Sequence, residues 1–373
     1  MVRDGRSDRG IQPQAKVVRR MSEIVEADFR QIKPYYHVPD ARLSEGITYV
    51  NETKTLLWVD IYKGEVHKVE HIRNPETSHD YVEIGLDNYR ANAAIKYPYP
   101  GSAKESIGAV FPLVDEEESD RINRVLFACK YGIGKASFAS KEWEYIALYR
   151  DCPDLPEDRA LRLRSNDGNV SPCGRYLYVG LMNDFDRPLK DEGCLVRVRL
   201  SDRRVEMVWD RIKIPNAIHW NEKGDTMYFT ESLEYTIWQY NENTKEKKPL
   251  IDIKHANNQS FESPEPDGSA IDLLNHRLYV CVYSTAKVQE FSLKDGSLLK
   301  EYLLPPYTPR VTSCAIAGND LYVTTANEDV EHGPQGCNDG RGGSIYKLPN
   351  VVQVATQSAL LEFVSSKRQP IFN

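Results

Sequence analysis

The stretch RLRSNDGNVSPCGRYLYVG, residues 162–180, decides the fold. Its second half is a polar turn, Pro172, Cys173 and Gly174, followed by a short apolar strand centred on Tyr178. The same pattern recurs along the chain, in TKTLLWVDI, CGRYLYVGL, GDTMYFTES, NHRLYVCVY and NDLYVTTA, with INRVLFACK as a looser copy. The copies align on an aromatic: Trp58, Phe127, Tyr178, Tyr228, Tyr279 and Tyr322, at intervals of 69, 51, 50, 51 and 43 residues. Most copies are followed by a second run of alternating apolar and polar residues, such as CLVRVRL or AKVQEFS, as in a strand covered on one face. Strand units at a period near 50 predict a propeller, each unit one blade. The fold class is therefore all-β, a six-bladed β-propeller. It is expected as one domain over residues 29–373, behind a disordered tail over residues 1–28. The long first interval predicts an insertion around Pro75 to Pro98, or a second anchor other than Phe127.

Composition narrows the class. The chain has 373 residues, 40% hydrophobic and 28% charged, enough apolar residues for a large core. A formal charge of −7 argues against a nucleic-acid surface, which needs a basic face. No apolar run is long enough to span a membrane. The first 20 residues have no apolar core of a secretory signal, and Asp4 and Asp8 count against a transit peptide. Seven cysteines without a C-x-x-C pair suggest free thiols in a reducing compartment. The expected location is the cytoplasm, with the nucleus as an additional compartment.

The first half of the opening stretch crowds Arg164, Asn166 and Asp167 just ahead of a strand. Equivalent positions of successive blades lie in a ring about one axis, so residues at one phase should meet there. Twelve residues before their anchors stand Asn166, Asn216 and Asp267, and thirteen before Trp58 stands Glu45. Thr312 and Ser313 take that place in the last copy. Small residues follow most of them, which suggests close backbone approach near a ligand. Two carboxylates and one or two amide oxygens converging make a hard-oxygen site. Calcium is its natural occupant, with Mg²⁺, Mn²⁺ or Zn²⁺ as alternatives. His219, three residues after Asn216, should point away from the metal, and Asp167 should point away by alternation.

The motifs SEG, RSNDG, PNAIHW, PDG and TSCAIAG, in blade order, resemble those of the regucalcin/gluconolactonase family, also called the senescence-marker-protein family. The resemblance covers residues from about 29 to about 350. It implies a six-bladed propeller with one divalent metal in the channel. By motif, Glu45, Asn216 and Asp267 resemble the family's metal ligands, and Asp267 its general base as well. Asn166 resembles a residue beside the metal that touches water or substrate, and Arg164 a substrate-binding arginine. An acidic residue that meets sugar hydroxyls is expected at Asp184, with Asp186 as the alternative. The glycine-rich segment NEDVEHGPQGCNDGRGG departs from the pattern and is expected as a loop near the channel mouth. The resemblance implies hydrolysis of a small lactone, a sugar lactone first; charge and hydropathy argue against a nucleic-acid or membrane partner. The rivals are a lactonase or esterase for non-sugar esters, and a calcium-binding propeller without turnover. A bare metal site needs neither Arg164 nor Asn166, which favours catalysis.

Overall fold

Turn residues cut this chain into short extended runs, and each run pairs with the next. The computed structural model describes residues 24–99, 105–113, 121–257, 260–329, 338–353 and 370. Consecutive runs form six antiparallel sheets. From the inside outwards, blade 1 is Ser44–Val50, Thr55–Asp60, Glu65–Val69 and His79–Glu83. Blade 2 is Ile107–Leu113, Arg124–Cys129, Gly132–Ser137 and Trp143–Leu148. Blade 3 is Leu163–Val170, Tyr176–Asn183, Gly193–Arg199 and Val205–Ile212. Blade 4 is Pro215–Trp220, Met227–Glu231, Thr236–Tyr240 and Lys247–Asp252. Blade 5 is Glu265–Asp272, Arg277–Tyr283, Lys287–Ser292 and Leu298–Leu303. Blade 6 is Val311–Ala317, Asp320–Thr325 and Ile345–Leu348, three strands among the described residues. The molecule is a six-bladed β-propeller.

All six aromatic anchors lie on second strands, and none is more than 7% exposed. They fill the spaces between blades, because the apolar core is divided into six clusters, one at each blade interface. Burying each such ring stabilises the fold by about 1.5–3 kcal/mol. The alternation that marked the repeat thus reflects sheets covered face to face by their neighbours.

The ring closes where the chain's ends meet. Trp58 of blade 1 and Tyr322 of blade 6 share one cluster with Tyr36. The Oγ1 of Thr312 donates to the carbonyl of Ser44 at 2.6 Å, tying the last inner strand to the first. Tyr36 forms a β-bridge with Ile345 on the outer side of blade 6. Ahead of it, Val25–Asp28 lies parallel to the outermost strand of blade 5, Val25 opposite Lys300 and Asp28 opposite Leu303. The expected tail is corrected at this point: residues 25–28 form a strand, and residues 1–23 lie outside the described residues. The predicted insertion holds a short helix, Pro75–Ser78, and the fourth strand of blade 1. Beyond them, Tyr89 and Tyr97 pack edge-on against Trp143 of blade 2. Among the described residues no helix is long and apolar enough to cross a membrane.

Candidate functional site

Every inner strand carries a β-bulge at the same level. The pairing register shifts between Glu45 and Thr48 in blade 1 and between Ile107 and Ala109 in blade 2. In blades 3 and 4 it shifts between Ser165 and Gly168 and between Pro215 and Ile218. In blades 5 and 6 it shifts between Pro266 and Ser269 and between Val311 and Cys314. A bulge adds a residue and re-aims the side chain there. This explains the shared phase of Glu45, Asn166, Asn216, Asp267 and Thr312. Each stands at or beside the bulge of its blade.

The small residues at the bulges serve a different purpose from the one the sequence suggested. A Cβ on Gly268 would lie 2.4–2.7 Å from Ser313 atoms, and one on Gly108 would lie 2.4 Å from the Asn166 carbonyl oxygen. These glycines let adjacent inner strands touch, rather than admitting a ligand. Gly46 additionally takes φ +57°, and its N–H donates to its neighbour Glu45 Oε2 at 2.9 Å.

Above the bulges lies a cavity of about 210 Å³, lined by Glu45, Arg164, Asn166, Asn216 and Asp267 among others. That is smaller than the ~300–1,000 Å³ pockets of drug-sized ligands and suits a small molecule. Glu45, Asn216 and Asp267 are buried, with exposures of 8%, 3% and 8%. Asn216 Nδ2 donates to Asp267 Oδ1 at 2.5 Å and to Ser232 Oγ at 3.2 Å. Its Oδ1 accepts from the N–H of Ala217 at 3.0 Å. Burial pushes the Asp267 carboxyl well above its ordinary value. The Glu45 carboxylate adds to the rise, and the Asn216 hydrogen bond opposes it.

Buried carboxylates that repel one another are a donor set for a hard cation. Among the described residues no three His, Cys, Asp or Glu side chains form a metal cluster. The set is two carboxylates completed by an amide, and its oxygen-rich chemistry fits a divalent ion such as calcium. A ligating Asn216 would present Oδ1 to the ion, a half-turn of its amide from the orientation described.

Arg164 lies beside this set and is 4% exposed. Its Nη1 donates to the Ser165 carbonyl at 2.8 Å and to Asn166 Oδ1 at 3.1 Å. Its Nε is buried with no hydrogen-bond partner. Burial lowers its pKa to about 10, against the pull of Asp184, Tyr62, Glu45 and Asp267. Asn166 is fixed on its other side, where Nδ2 donates to the Pro215 carbonyl at 3.0 Å.

Asp184 does not line the cavity. Its carboxylate is paired with Lys130 and caps the N–H of Phe185 at 2.8 Å, within electrostatic reach of Arg164. Asp186 is exposed and faces Arg187 at 3.5 Å. The residue between them, Phe185, lines the cavity instead. Its ring stacks on Tyr62 at 4.0 Å, and the Arg164 guanidinium lies 4.0 Å from its centroid. The segments that follow the second strands of blades 1 and 3 thus meet through one aromatic pair. Thr312 is fully buried in ring closure, and Asp167 Oδ1 accepts from the N–H of Gly168 at 2.6 Å. His219 points away from the cavity, its Nε2 2.9 Å from Ser269 Oγ in the next blade. Part of the glycine-rich segment, residues 330–337, lies outside the described residues.

Sequence reasoning missed Tyr62, Phe185, Arg42, Glu265 and Arg310, all of which line the cavity. For Arg310 a signal existed: it precedes Thr312 by two residues, as Arg164 precedes Asn166.

Residues 43–327 match the family described as SMP-30/Gluconolactonase/LRE-like region. An uncharacterized protein of Saccharomyces cerevisiae is 51% identical over 359 residues, 94% of this chain and 99% of that protein. The crystal structure of the calcium-binding protein regucalcin from Agrobacterium tumefaciens superposes with a TM-score of 0.64. It is 18% identical and covers 94% of this chain and 99% of its own. A gluconolactonase from Xanthomonas campestris gives 0.55 at 15% identity, covering 85% of this chain and 88% of its own. The matched segment spans the inner strands of all six blades and every residue of the cavity floor. On that match the chain belongs to the SMP-30/gluconolactonase family.

Proposed function

We propose that this protein is a divalent-metal-dependent lactonase that opens a small lactone, a sugar lactone before others. One observation carries the reading: carboxylates and an amide from three blades converge at the cavity floor beside a buried arginine with a donor to spare. The Xanthomonas gluconolactonase supports the choice of lactone, and the Agrobacterium calcium-binding regucalcin the choice of calcium.

Lactone hydrolysis builds negative charge on the carbonyl oxygen. Glu45, Asn216 and Asp267 would hold a divalent cation, calcium first and Zn²⁺, Mn²⁺ or Mg²⁺ as alternatives, which supplies Lewis-acid polarisation of that carbonyl. Asp267 takes a proton from the attacking water at its carboxylate. Arg164 offers the Nε hydrogen to a ring or hydroxyl oxygen, and its planar fork fixes the sugar's orientation. Asn166 holds Arg164 through Oδ1 and so sets the angle of that fork. The stacked Tyr62–Phe185 pair gives the cavity one aromatic wall.

The test is proton release from a panel of lactones, with EDTA and with each cation added back. The expected result is turnover that EDTA abolishes and a cation restores. Arg164→Ala should raise KM more than it lowers kcat, since its contact exists in ground and transition states alike. Absence of cation-dependent turnover on every lactone overturns the reading in favour of a binding protein.

A further inference from the structure

Side chains two residues before each bulge return to the axis, one pleat nearer the mouth, about 6.8 Å along the strand. Leu43, Arg164, Ile214, Glu265 and Arg310 hold that level, and all five line the cavity, as does Arg42 next to Leu43. The charges of this outer ring are not equally answered. Arg310 Nε meets Glu328 at 2.7 Å, and Glu265 Oε1 accepts from Ser263 Oγ at 2.6 Å. The Arg42 guanidinium has neither an ion pair nor a hydrogen bond among the described residues. It rests on the Tyr62 ring, 4.6 Å from the centroid. The other face of that ring is covered by Phe185, and the far face of Phe185 by Arg164. The aromatic pair therefore keeps the two guanidiniums apart. Arg164 serves the floor of the cavity, and Arg42 serves a group at its far end.

Resting on the lactonase reading, we infer that the substrate carries an anionic group, a phosphate monoester or a carboxylate, distal to its lactone carbonyl, and that Arg42 is the residue that selects it. A guanidinium presents paired donors that match both oxyanions. Held over the Tyr62 ring, it loses less freedom on binding than an unsupported side chain would. A neutral sugar would leave this donor face without a partner.

Three substrates test the inference on the full-length, metal-loaded protein: glucono-δ-lactone, its counterpart phosphorylated on the primary alcohol, and glucaro-γ-lactone, whose far end is a carboxylate. At least one anionic substrate should exceed the neutral one in kcat/KM by about tenfold, the scale of one good charge-assisted contact. The better of the two identifies the group. Arg42→Gln should bring that preference to within about threefold. Calorimetric titration with the ring-opened acids, phosphogluconate and glucarate each against gluconate, gives a readout independent of turnover. At least one of the two acids with a distal anion should bind more tightly than gluconate in low salt, and Arg42→Gln should remove the difference. A neutral lactone used as well as both anionic ones, or a preference that survives Arg42→Gln, overturns the inference and leaves the lactonase reading standing. If no lactone is opened, the lactonase reading falls. The titration then decides the inference by itself, and binding of phosphogluconate and glucarate no tighter than that of gluconate overturns it.

Discussion

Removing the charge of Asp267 should split the protein's stability in two directions. Asp267 is buried beside Glu45, and its carboxyl is held well above the ordinary 3.8 by burial first and by Glu45 second. A raised value in the folded state means that the folded protein holds this proton more tightly than the unfolded chain. The associated stability is complete below 3.8 and is lost as pH rises through the folded value. Without a cation, Asp267→Asn should therefore melt above the wild type near neutral pH, and the gap should close towards pH 4. With a cation the order reverses. A ligand at one hundred times its Kd stabilises by about 2.7 kcal/mol. Taken over the about 310 described residues at ~2.1 cal/mol/K each, the unfolding entropy is ~0.65 kcal/mol/K, so the wild-type Tm should rise by about 4 °C. Asp267→Asn should lose most of that rise. The assay is a thermal melt of both proteins in EDTA and in calcium, at pH 4 to 8. An equal calcium-induced shift in both proteins would refute the placement of the cation. A less stable variant in EDTA at neutral pH would refute the repulsion argument.

Three further outcomes test the packing. Gly268→Ala should lower stability by about 1–3 kcal/mol in a denaturant titration, because its Cβ overlaps Ser313 of the next inner strand. Thr312→Val should cost about 1–3 kcal/mol, since it removes the buried hydroxyl that donates to the Ser44 carbonyl, while Thr324 Oγ1 keeps its bonds to Ser313. His79, part-buried against His67, is pushed down to about 4 from 6.5, by burial first and by His67 second. Stability should fall as pH drops from 6.5 towards 4, and His79→Gln should remove roughly 1–2 kcal/mol of that loss, allowing for its partial exposure.

The fold was legible because a propeller repeats itself. Each blade places one aromatic on its second strand at an interface, so Trp58, Phe127, Tyr178, Tyr228, Tyr279 and Tyr322 stand at a readable spacing. Phase then placed Glu45, Asn216 and Asp267 together, and the small residues that follow them were the composition mark of the bulges that aim them inward. The closure of the ring was not legible. Val25–Asp28 is largely exposed and pairs with residues far away in sequence, so neither alternation nor spacing announces it. The choice between Asp184 and Asp186 could not be made from spacing for a related reason. The chain turns there, and Phe185 is the side chain it turns into the cavity. Arg42 and Tyr62 sit outside the inner-strand phase, and only the stacking of Tyr62 on Phe185, with Arg42 over Tyr62, reveals them. Arg310 was legible two residues ahead of Thr312, although Thr312 stands ten rather than twelve residues before its anchor.

The central claim is that one divalent cation sits where three bulged inner strands converge. The most direct measurement is a crystal structure of the protein soaked in Mn²⁺, with the ion located by its anomalous scattering. The account predicts a single strong peak coordinated by Glu45, the amide oxygen of Asn216 and Asp267, with the Asn216 amide turned from its hydrogen bond to Asp267. No peak in the channel, or a peak held by other residues, would contradict it.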